Sequence, residues 1–316
     1  MQKFTYNNYN KTLQAEFSER VQKISLNAGF TCPNRDGVKG FGGCTYCNNQ
    51  SFLPDYCLSQ KSVTQQINEG IAFFEHKYRN QKYLAYFQSY TNTYADFDTL
   101  VSLYSEALAH PQIVGLVIGT RPDCVNEKLL DYFAKLAERQ YIMLEYGVES
   151  TNDETLRFIN RGHDYRCAAD AICETARRGI RTAAHLILGL PHESRETIIS
   201  HSKTISELPL TALKLHQLQI IKNTVMARQY AETPELFTLF TADEYIDLIV
   251  DFLENLNPDI AIERFVSQSP AGYVVAPEWG LKNFEFTAKI EKRLRDRQTW
   301  QGRFFMLINN KYERLS

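Results

Sequence analysis

The sequence has no long hydrophobic run and no apolar segment at its start. Nowhere in its 316 residues does an apolar stretch approach 18 residues, so no membrane-spanning helix is predicted. The first residues, MQKFTYNNYNK, lack the apolar core of a signal peptide. The seven cysteines are an odd number spread along the chain, which indicates a reducing compartment. These absences predict a cytoplasmic protein that does not associate with a membrane.

The chain also has no strong net charge and no short repeat. Its formal charge of −2 gives no reason by itself to expect nucleic acid. Charge is uneven, however, because residues 281–316 carry nine Lys/Arg against four Asp/Glu, whereas 225–265 carry two against nine. A basic helix is commonly a solvated face, but with nearby aromatics it also suits an RNA backbone. The basic residues that keep the second interpretation open are Lys289, Lys292, Arg293, Arg295, Arg297 and Arg303, with Phe304 and Phe305 beside them.

Apolar runs alternate with amphipathic segments along most of the chain. Near-continuous apolar strands separated by helices indicate a parallel sheet covered by helices. Strands are predicted over 21–26, 83–88, 114–120, 141–148, 182–190 and 212–220. Helices are predicted over 63–78, 97–108, 128–139, 168–178 and 195–207, and a C-terminal extension has helices over 242–256 and 284–297 with a strand over 261–266. The pattern predicts an open, partial (β/α)6 TIM-like barrel over 21–222, an N-terminal extension over 1–20 and a small α/β extension over 223–316.

Three cysteines stand in one glycine-rich stretch after the first predicted strand. Cys32, Cys44 and Cys47 lie within CPNRDGVKGFGGCTYC. Three thiolates can hold three irons of a [4Fe–4S] cluster and leave the fourth iron open for another ligand. A cluster held in this way suits a reaction site, so these cysteines are the predicted metal ligands.

Two other uses of the cysteines remain open from spacing alone. A structural zinc site would need Cys57 as its fourth ligand, although zinc sites usually show two close cysteine pairs. Cys44 and Cys47 also form a C-x-x-C pair, which in thioredoxin-like proteins opens a helix and needs no third cysteine.

Polar residues follow each of the six barrel strands. Ligands of parallel β/α folds bind at the carboxyl ends of the strands, so these residues are expected to share one face. A single one is commonly a satisfied loop side chain, but the repeated coincidence predicts an active site. Besides the cysteines, the set comprises the polar run 88–93, the segment 120–124, Glu145, Glu149, the segment 161–164, His185, Lys214, His216 and Lys222.

These motifs together resemble radical S-adenosylmethionine (SAM) enzymes of the YhcC/YtqA type. The resemblance extends from about residue 23 to 267, and the wide gap between the first two cysteines suits this family. The same stretches are similar to the radical SAM half of the Elongator catalytic subunit, but the chain lacks room for that protein's acetyltransferase domain. Besides the cysteine stretch, the matching segments are YLAYFQSYTNTYA, VGLVIGTRPDC, EYGVES, INRGHDY, HLILGLP and LKLHQLQIIKNTVM.

The resemblance implies two cofactors, a [4Fe–4S] cluster held by the three cysteines and SAM bound to its open iron. Tyr46 lies where the family places a ring against adenine. Glu149 lies where a side chain accepts a hydrogen bond from the ribose, and Arg161 where a guanidinium pairs with the SAM carboxylate. Further cofactor contacts are implied for Gln88, Ser89, Thr91, Asn92, Glu145, His185, Gly189 and Pro191.

The chemistry that the resemblance implies is one-electron chemistry. The reduced cluster cleaves SAM to methionine and a 5′-deoxyadenosyl radical, which abstracts a hydrogen atom from the substrate. A flavodoxin or ferredoxin-type protein is the expected reductant. Lys214, His216 and Lys222 are the candidates for substrate contact or proton transfer. Cys124 is a candidate second hydrogen donor, although a plain loop thiol is the simpler interpretation.

The resemblance implies tRNA as the substrate, with modification of the C5 side chain of the wobble uridine. A downstream methyltransferase is a possible further partner. Two alternatives remain. One is a radical SAM oxidoreductase that acts on a small molecule such as a porphyrin precursor, because HLILGLP and EYGVES also resemble the coproporphyrinogen-oxidising branch. The other is a non-catalytic metal-binding regulator.

Overall fold

The computed structural model describes residues 5–48, 53–76, 81–270 and 272–305. The described part contains ten α-helices, nine β-strands and short 3-10 turns at Pro122–Cys124 and Pro234–Leu236. Along the chain the elements are α1 (Tyr9–Phe17), β1 (Val21–Leu26), α2 (Val63–Glu75), β2 (Lys82–Phe87), α3 (Phe97–Leu108), β3 (Ile113–Thr120), α4 (Glu127–Ala137), β4 (Tyr141–Glu149), α5 (Asp153–Phe158), α6 (Tyr165–Arg177), β5 (Arg181–Leu188), α7 (Arg195–Ser206), β6 (Ala212–Gln217), β7 (Ile220–Ile221), α8 (Val225–Glu232), α9 (Ala242–Asn255), β8 (Ala261–Arg264), β9 (Val274–Ala276) and α10 (Asn283–Asp296).

Seven parallel strands form one sheet in the order β1-β2-β3-β4-β5-β6-β8, while β7 and β9 form a separate antiparallel pair. The six predicted βα strands are all present, and the partial barrel is confirmed as the fold class. The strand predicted at 261–266 is not confined to the C-terminal extension, because β8 pairs in parallel with β6. The boundaries after residues 20 and 222 stay predictions.

Each strand points one set of side chains at the helices and the other into the barrel. The helix-facing set is apolar and forms a continuous core with α2, α3, α4, α6, α7, α9 and α10. Asp96, Asn126 and Ser194 accept hydrogen bonds from the first turns of α3, α4 and α7, which fixes where these helices begin. Because the seven strands run parallel, their carboxyl ends lie at the same edge of the sheet.

Helix α1, which the sequence did not predict, closes the opposite end of the barrel. Tyr9 and Leu13 belong to an apolar cluster with buried residues of six strands of the sheet, among them Tyr141 and Ala212. The hydroxyl groups of Tyr9 and Tyr141 lie 2.8 Å apart. Just before α1, the carbonyl oxygen of Asn7 accepts a hydrogen bond from the backbone N–H of Ile262 in β8 at 2.7 Å. Any cavity is therefore open at the carboxyl end.

Other predicted boundaries differ little from the observed ones. The helix predicted over 63–78 extends as far as Glu75, and residues 77–80 lie outside the described part, as does the end of the basic segment beyond residue 305. Of the described helices, none is both long and apolar enough to cross a membrane.

Candidate active site at the carboxyl end of the sheet

A cavity of about 210 Å³ lies at the carboxyl ends of the strands. Its wall is formed by the cysteine loop after β1 and by the ends of β2 through β6 and β8. The predicted site residues on this wall are Cys32, Cys44, Tyr46, Cys47, Gln88, Ser89, Thr91, Glu145, Glu149, Arg161, His185 and His216.

The cysteine loop is folded onto the barrel by backbone hydrogen bonds. The carbonyl oxygen of Cys32 accepts from the N–H groups of Arg35 and Asp36, and the N–H of Cys47 donates to the carbonyl oxygen of Cys44 at 3.0 Å. The N–H of Thr45 donates to the carbonyl oxygen of Ile159, which ties the loop to the end of α5. These turns place all three thiols on the same cavity wall.

Cys57, the candidate fourth zinc ligand, is not part of this wall. Its side chain is buried, and its thiol donates to the carbonyl oxygen of Ser25 at 2.7 Å. In the described part of the chain, no three His, Cys, Asp or Glu side chains converge closely enough to hold a single metal ion. Three cavity-facing cysteines without Cys57 match the ligand set expected for a cluster with one open iron, not a four-cysteine zinc site.

Arg161 connects the cysteine loop to the end of β4. Its Nη1 lies 3.5 Å from Sγ of Cys44, its Nη2 donates to the carbonyl oxygen of Gly147, and Nη2 lies 3.5 Å from Oε1 of Glu149. A Cβ on Gly147 would collide with Nη2 in this position, so a glycine here lets the guanidinium approach the backbone. Nε of Arg161 is buried and finds no partner among the described residues, which leaves a donor for a bound group.

The polar loop after β2 divides into cavity-facing and core-facing residues. Gln88, Ser89 and Thr91 line the cavity, and no described residue bonds to the buried hydroxyl groups of Ser89 and Thr91. Asn92 does not line it, because its Nδ2 donates to the carbonyl oxygen of Gly119 at 2.8 Å. Asn92 therefore joins the loop to β3, and its side chain is not placed to contact a cofactor in the cavity.

A charged layer lies beneath the cavity, inside the barrel. Glu145 is fully buried and bonded to Lys23 at 2.5 Å, to Lys214 at 2.6 Å and to Nε2 of His185 at 3.0 Å. Glu263 pairs with both lysines, at 2.5 Å and 3.0 Å. The layer joins β1, at one edge of the sheet, to β8 at the other.

Burial and charge shift the pKa values in this layer in different directions. Burial lowers the pKa of Lys214 to about 8, although Glu145 and Glu263 favour its charged form. Burial would raise the pKa of Glu145, but Lys214 and Lys23 outweigh it and hold that pKa well below its usual range. Burial and then Lys214 lower the pKa of His185, so this imidazole is neutral at pH 7 and donates Nε2–H to Glu145.

Five other predicted residues lie away from the cavity wall. Lys214 is in the charged layer and contacts two residues that line the cavity, Glu145 and Tyr86, whose hydroxyl is 3.0 Å from its Nζ. The side chain of Lys222 is exposed beyond β6, and Cys124 is half-buried with its thiol 3.7 Å from Asp123. Gly189 packs on Phe240 and Pro191 is buried under α5, so both shape the β5 turn without reaching the cavity wall.

Comparison with known proteins identifies the family of the chain and agrees with its fold. The Radical SAM superfamily profile matches residues 30–205, and the Radical_SAM C-terminal domain profile matches residues 210–296. The uncharacterized protein YtqA of Bacillus subtilis is 33% identical over 303 residues, which cover 96% of this chain and 94% of YtqA. Protein YhcC of Escherichia coli is 32% identical over 92% of both chains.

The chain belongs to the radical SAM superfamily. Its resemblance to YhcC and YtqA is confirmed, and it is a radical SAM enzyme, whose cofactors are a [4Fe–4S] cluster and SAM. The archaeal Elp3 of Methanocaldococcus infernus shares the fold, with a TM-score of 0.68 and 16% identity over 89% of this chain and 64% of that one. A tRNA uridine(34) acetyltransferase of Dehalococcoides mccartyi is 26% identical over 55% of this chain and 37% of its own length.

The side chains of this radical SAM enzyme fit the two cofactors. Three thiols face one cavity, and the described residues offer no partner to several buried donors around it: Nε of Arg161, Nη1 of Arg35 and the hydroxyl groups of Ser89 and Thr91. Donors without partners are costly when buried, so they are expected to meet a polar ligand.

Sequence reasoning missed several residues of the cavity and the charged layer. Lys23 and Tyr86 lie inside strands and were not singled out, although alternation in the strand sequence would have turned them into the barrel. Arg264 and Ser267 come from β8 and the loop that follows it, and both line the cavity. They were missed because β8 was assigned to the extension.

The basic C-terminal helix is largely neutralised by the acidic helix before it. On α10, Arg293 and Arg297 both bond to Asp247 of α9, and Arg297 also bonds to Asp251 at 2.6 Å. Lys292 pairs with Asp296 on its own helix at 2.5 Å. The opposite charges of residues 225–265 and 281–316 therefore pair in part with each other, between α9 and α10.

Proposed function

We propose that this radical SAM enzyme modifies the C5 side chain of the wobble uridine in tRNA. The observation that carries the chemistry is the shared cavity wall of Cys32, Cys44, Cys47 and Arg161 at the carboxyl end of the sheet. The tRNA substrate is supported by the similarity to a tRNA uridine(34) acetyltransferase, together with the wider similarity to Elongator proteins.

In this proposal each cavity residue has a limited task. The three thiolates hold the cluster, Arg161 holds the SAM carboxylate with its free Nε, and Glu149 accepts a hydrogen bond from the ribose. When bound, the cofactors supply the 5′-deoxyadenosyl radical that removes a hydrogen atom. The half-closed barrel excludes water from the reacting atoms.

Two histidines stand on the substrate side of the cavity. The rings of His185 and His216 are stacked with centroids 5.6 Å apart. Burial, followed by the charge of Arg264, lowers the pKa of His216 well below its usual value, so the ring is neutral. We assign His216 to substrate contact and Lys214 to positioning, since Lys214 acts through Glu145 and Tyr86.

The cysteine loop offers the RNA a better contact than α10. Phe41 lies in this loop, its side chain is 80% exposed, and its ring stands against the backbone of Gly37. In the same loop, the guanidinium of Arg35 lies 5.6 Å from the ring centroid of Tyr90. Exposed aromatic and arginine planes are what unstacked RNA bases bind. We therefore place tRNA contact at this rim, where Arg35 and Tyr90 already line the cavity.

The proposal includes partners that supply and follow the reaction. The electron is taken from a flavodoxin or ferredoxin-type protein, and a methyltransferase is a possible next enzyme. All of these, and tRNA itself, are expected in the cytoplasm.

The test is formation of 5′-deoxyadenosine by anaerobically reconstituted protein with SAM and a reductant, with and without bulk tRNA. An increase with tRNA, abolished in Cys47→Ala, followed by a changed nucleoside in mass spectrometry, is the expected result. Turnover that does not respond to tRNA would overturn the tRNA assignment and direct the search to small molecules. No cleavage by a fully loaded cluster under either condition would count against the assigned reaction.

A further inference from the structure

We propose that Arg264 and Ser267 form a second anion subsite in the cavity, which holds an oxyanion group of the substrate. This inference rests on the proposed function in one respect, that the substrate binds in this cavity. It lies on β8 and the loop after it, whereas the cysteine thiols and Arg161 come from other elements.

The first observation is that Arg264 has no acidic partner. Among the described residues no carboxylate lies within 4.0 Å of its guanidinium, and its one hydrogen-bond partner is Nε2 of His216 at 2.9 Å. Because an arginine only donates, Nε2 of His216 must accept, which requires the neutral ring with its proton on Nδ1. Nε of Arg264 is buried and has no partner in the part of the chain that the structure describes.

The second observation is an excess of positive charge around the barrel interior. Lys23, Lys214 and Arg264 are cations, whereas Glu145 and Glu263 are the carboxylates bonded to this group. Both lysines are already paired with both carboxylates, so Arg264 carries the unmatched charge. A cation with little access to water is stabilised when a bound anion neutralises it.

The third observation is a hydroxyl group that is held in place and left without a partner. Ser267 is 5% exposed, its N–H donates to Oε1 of Gln217 at 2.8 Å, and its carbonyl oxygen accepts from Nε2 of Gln217 at 3.0 Å. These two bonds fix the backbone of Ser267 at the end of β6. Its Oγ is buried without a partner among the described residues, and Ser267 lines the cavity.

The two residues together suit a carboxylate or a phosphate. A guanidinium offers parallel donors to two oxygens, and a serine hydroxyl adds a third donor. The cofactor carboxylate has its own arginine, Arg161, beside Cys44. The anion at Arg264 is therefore assigned to the substrate, and a neutral substrate of the same shape would leave the charge unmatched.

The test measures binding, with no tRNA present. Reconstituted protein saturated with SAM is titrated with acetate, methyl phosphate and the neutral analogue acetamide at constant ionic strength, followed by saturation-transfer NMR of the methyl groups. We expect at least one anion to bind at least tenfold more tightly than acetamide. Preference for acetate identifies a carboxylate subsite, and preference for methyl phosphate identifies a phosphate subsite.

Variants assign the effect to the residues. Arg264→Gln is expected to lose the tenfold preference, Arg264→Lys to keep part of it because the charge remains, and Ser267→Ala to weaken the anion several-fold. Arg166→Gln removes the same charge from an exposed position on α6 and is expected to change nothing. If Arg264→Gln does not fold, as judged by its iron content and SAM affinity, the comparison rests on the other two substitutions.

Three results would overturn the subsite. These are equal binding of anions to wild type and Arg264→Gln, no preference for either anion in the wild type, and displacement of the anion by added SAM in protein first loaded without it. A failed tRNA stimulation of SAM cleavage would remove only the tRNA assignment, because the binding measurement contains no RNA.

Discussion

Nζ of Lys214 lies 2.6 Å from Oε2 of Glu145, and both side chains are almost completely buried inside the barrel. Glu145 also bonds to Lys23, so one carboxylate stands between two cations from β1 and β6. These charges lie inside the barrel, and their ion pairs join β4 to β1 and to β6. Their contribution is therefore both to stability and to the position of Tyr86 and His185 above them.

Replacing Glu145 tests how much the fold depends on this layer. Glu145→Gln removes the charge between two buried lysines, and breaking a buried pair in this way is expected to cost about 3–5 kcal/mol of the free energy of unfolding. The measurement is urea denaturation of the variant and the wild type. The control is Glu69→Gln, which breaks a surface pair with Lys61 and is expected to have little effect. Similar small losses in both variants would contradict the prediction.

The lowered pKa of Lys214 predicts a pH dependence of stability. Its pKa is about 8 in the folded protein and 10.5 as the ordinary value, so the unfolded chain binds more protons between these limits. Stability from this group therefore rises as pH increases from about 8 to 10.5, because the cost of the buried charge is relieved. The measurement is the free energy of unfolding across this range in wild type and Lys214→Met. The rise attributed to Lys214 should be absent in the variant.

The fold was predictable because its strands are long apolar runs. Apolar runs such as 114–120 and 141–148 predict strands of a sheet that is buried on both faces. The observed strands β3 and β4 match these two runs within one residue. Helix α1 was not predicted, because its apolar stripe consists only of Tyr9, Leu13 and Phe17 and the other residues of this nine-residue helix are mostly polar. Strand β8 has four residues, too few to show from sequence that it would join the sheet.

The sequence predicted which strand ends carry site residues. It did not predict which side chains line the cavity and which lie deeper in the barrel. His185 and Lys214 were both expected at the cavity, and strand register alone does not decide which of them reaches it. His185 pairs in register with Lys214, but only the histidine lines the cavity, while the lysine turns to Glu145 and Glu263. Arg264 became part of the site only through the pairing of β8 with β6, which depends on contacts between distant residues.

The cysteine ligands are tested by matched serine substitutions. Cys44→Ser removes a cavity-facing thiol and is expected to leave the protein with little iron and sulfide after anaerobic reconstitution. Cys57→Ser removes a buried thiol outside the cavity, and serine retains a donor for the carbonyl oxygen of Ser25, so its iron content should equal that of the wild type. A loss of iron in Cys57→Ser as large as that in Cys44→Ser would favour the four-cysteine ligand set.

Arg161 is expected to dominate the affinity for SAM. Arg161→Gln keeps a polar side chain near Gly147 but loses the charge beside Cys44 and Glu149. Removing one partner of a buried charged pair costs at least about 2 kcal/mol, which is roughly a 30-fold weaker binding. Equilibrium dialysis of SAM with the reconstituted variant measures this change. Arg195→Gln, in which the lost pair with Asp251 is far from the cavity wall, should bind SAM as the wild type does.

The exposed ring of Phe41 is the proposed tRNA contact outside the cavity. Phe41→Ala should weaken tRNA binding by about 1–3 kcal/mol if a base stacks on the ring, since that is the range of base–aromatic stacking. SAM binding without tRNA should not change, because Phe41 does not line the cavity. Phe73→Ala is the control, since Phe73 is 64% exposed on α2 and lies outside the cysteine loop. Filter binding of bulk tRNA at fixed salt measures both variants. Equal losses in the two would show that general surface hydrophobicity, and not the loop beside the cavity, contacts the RNA.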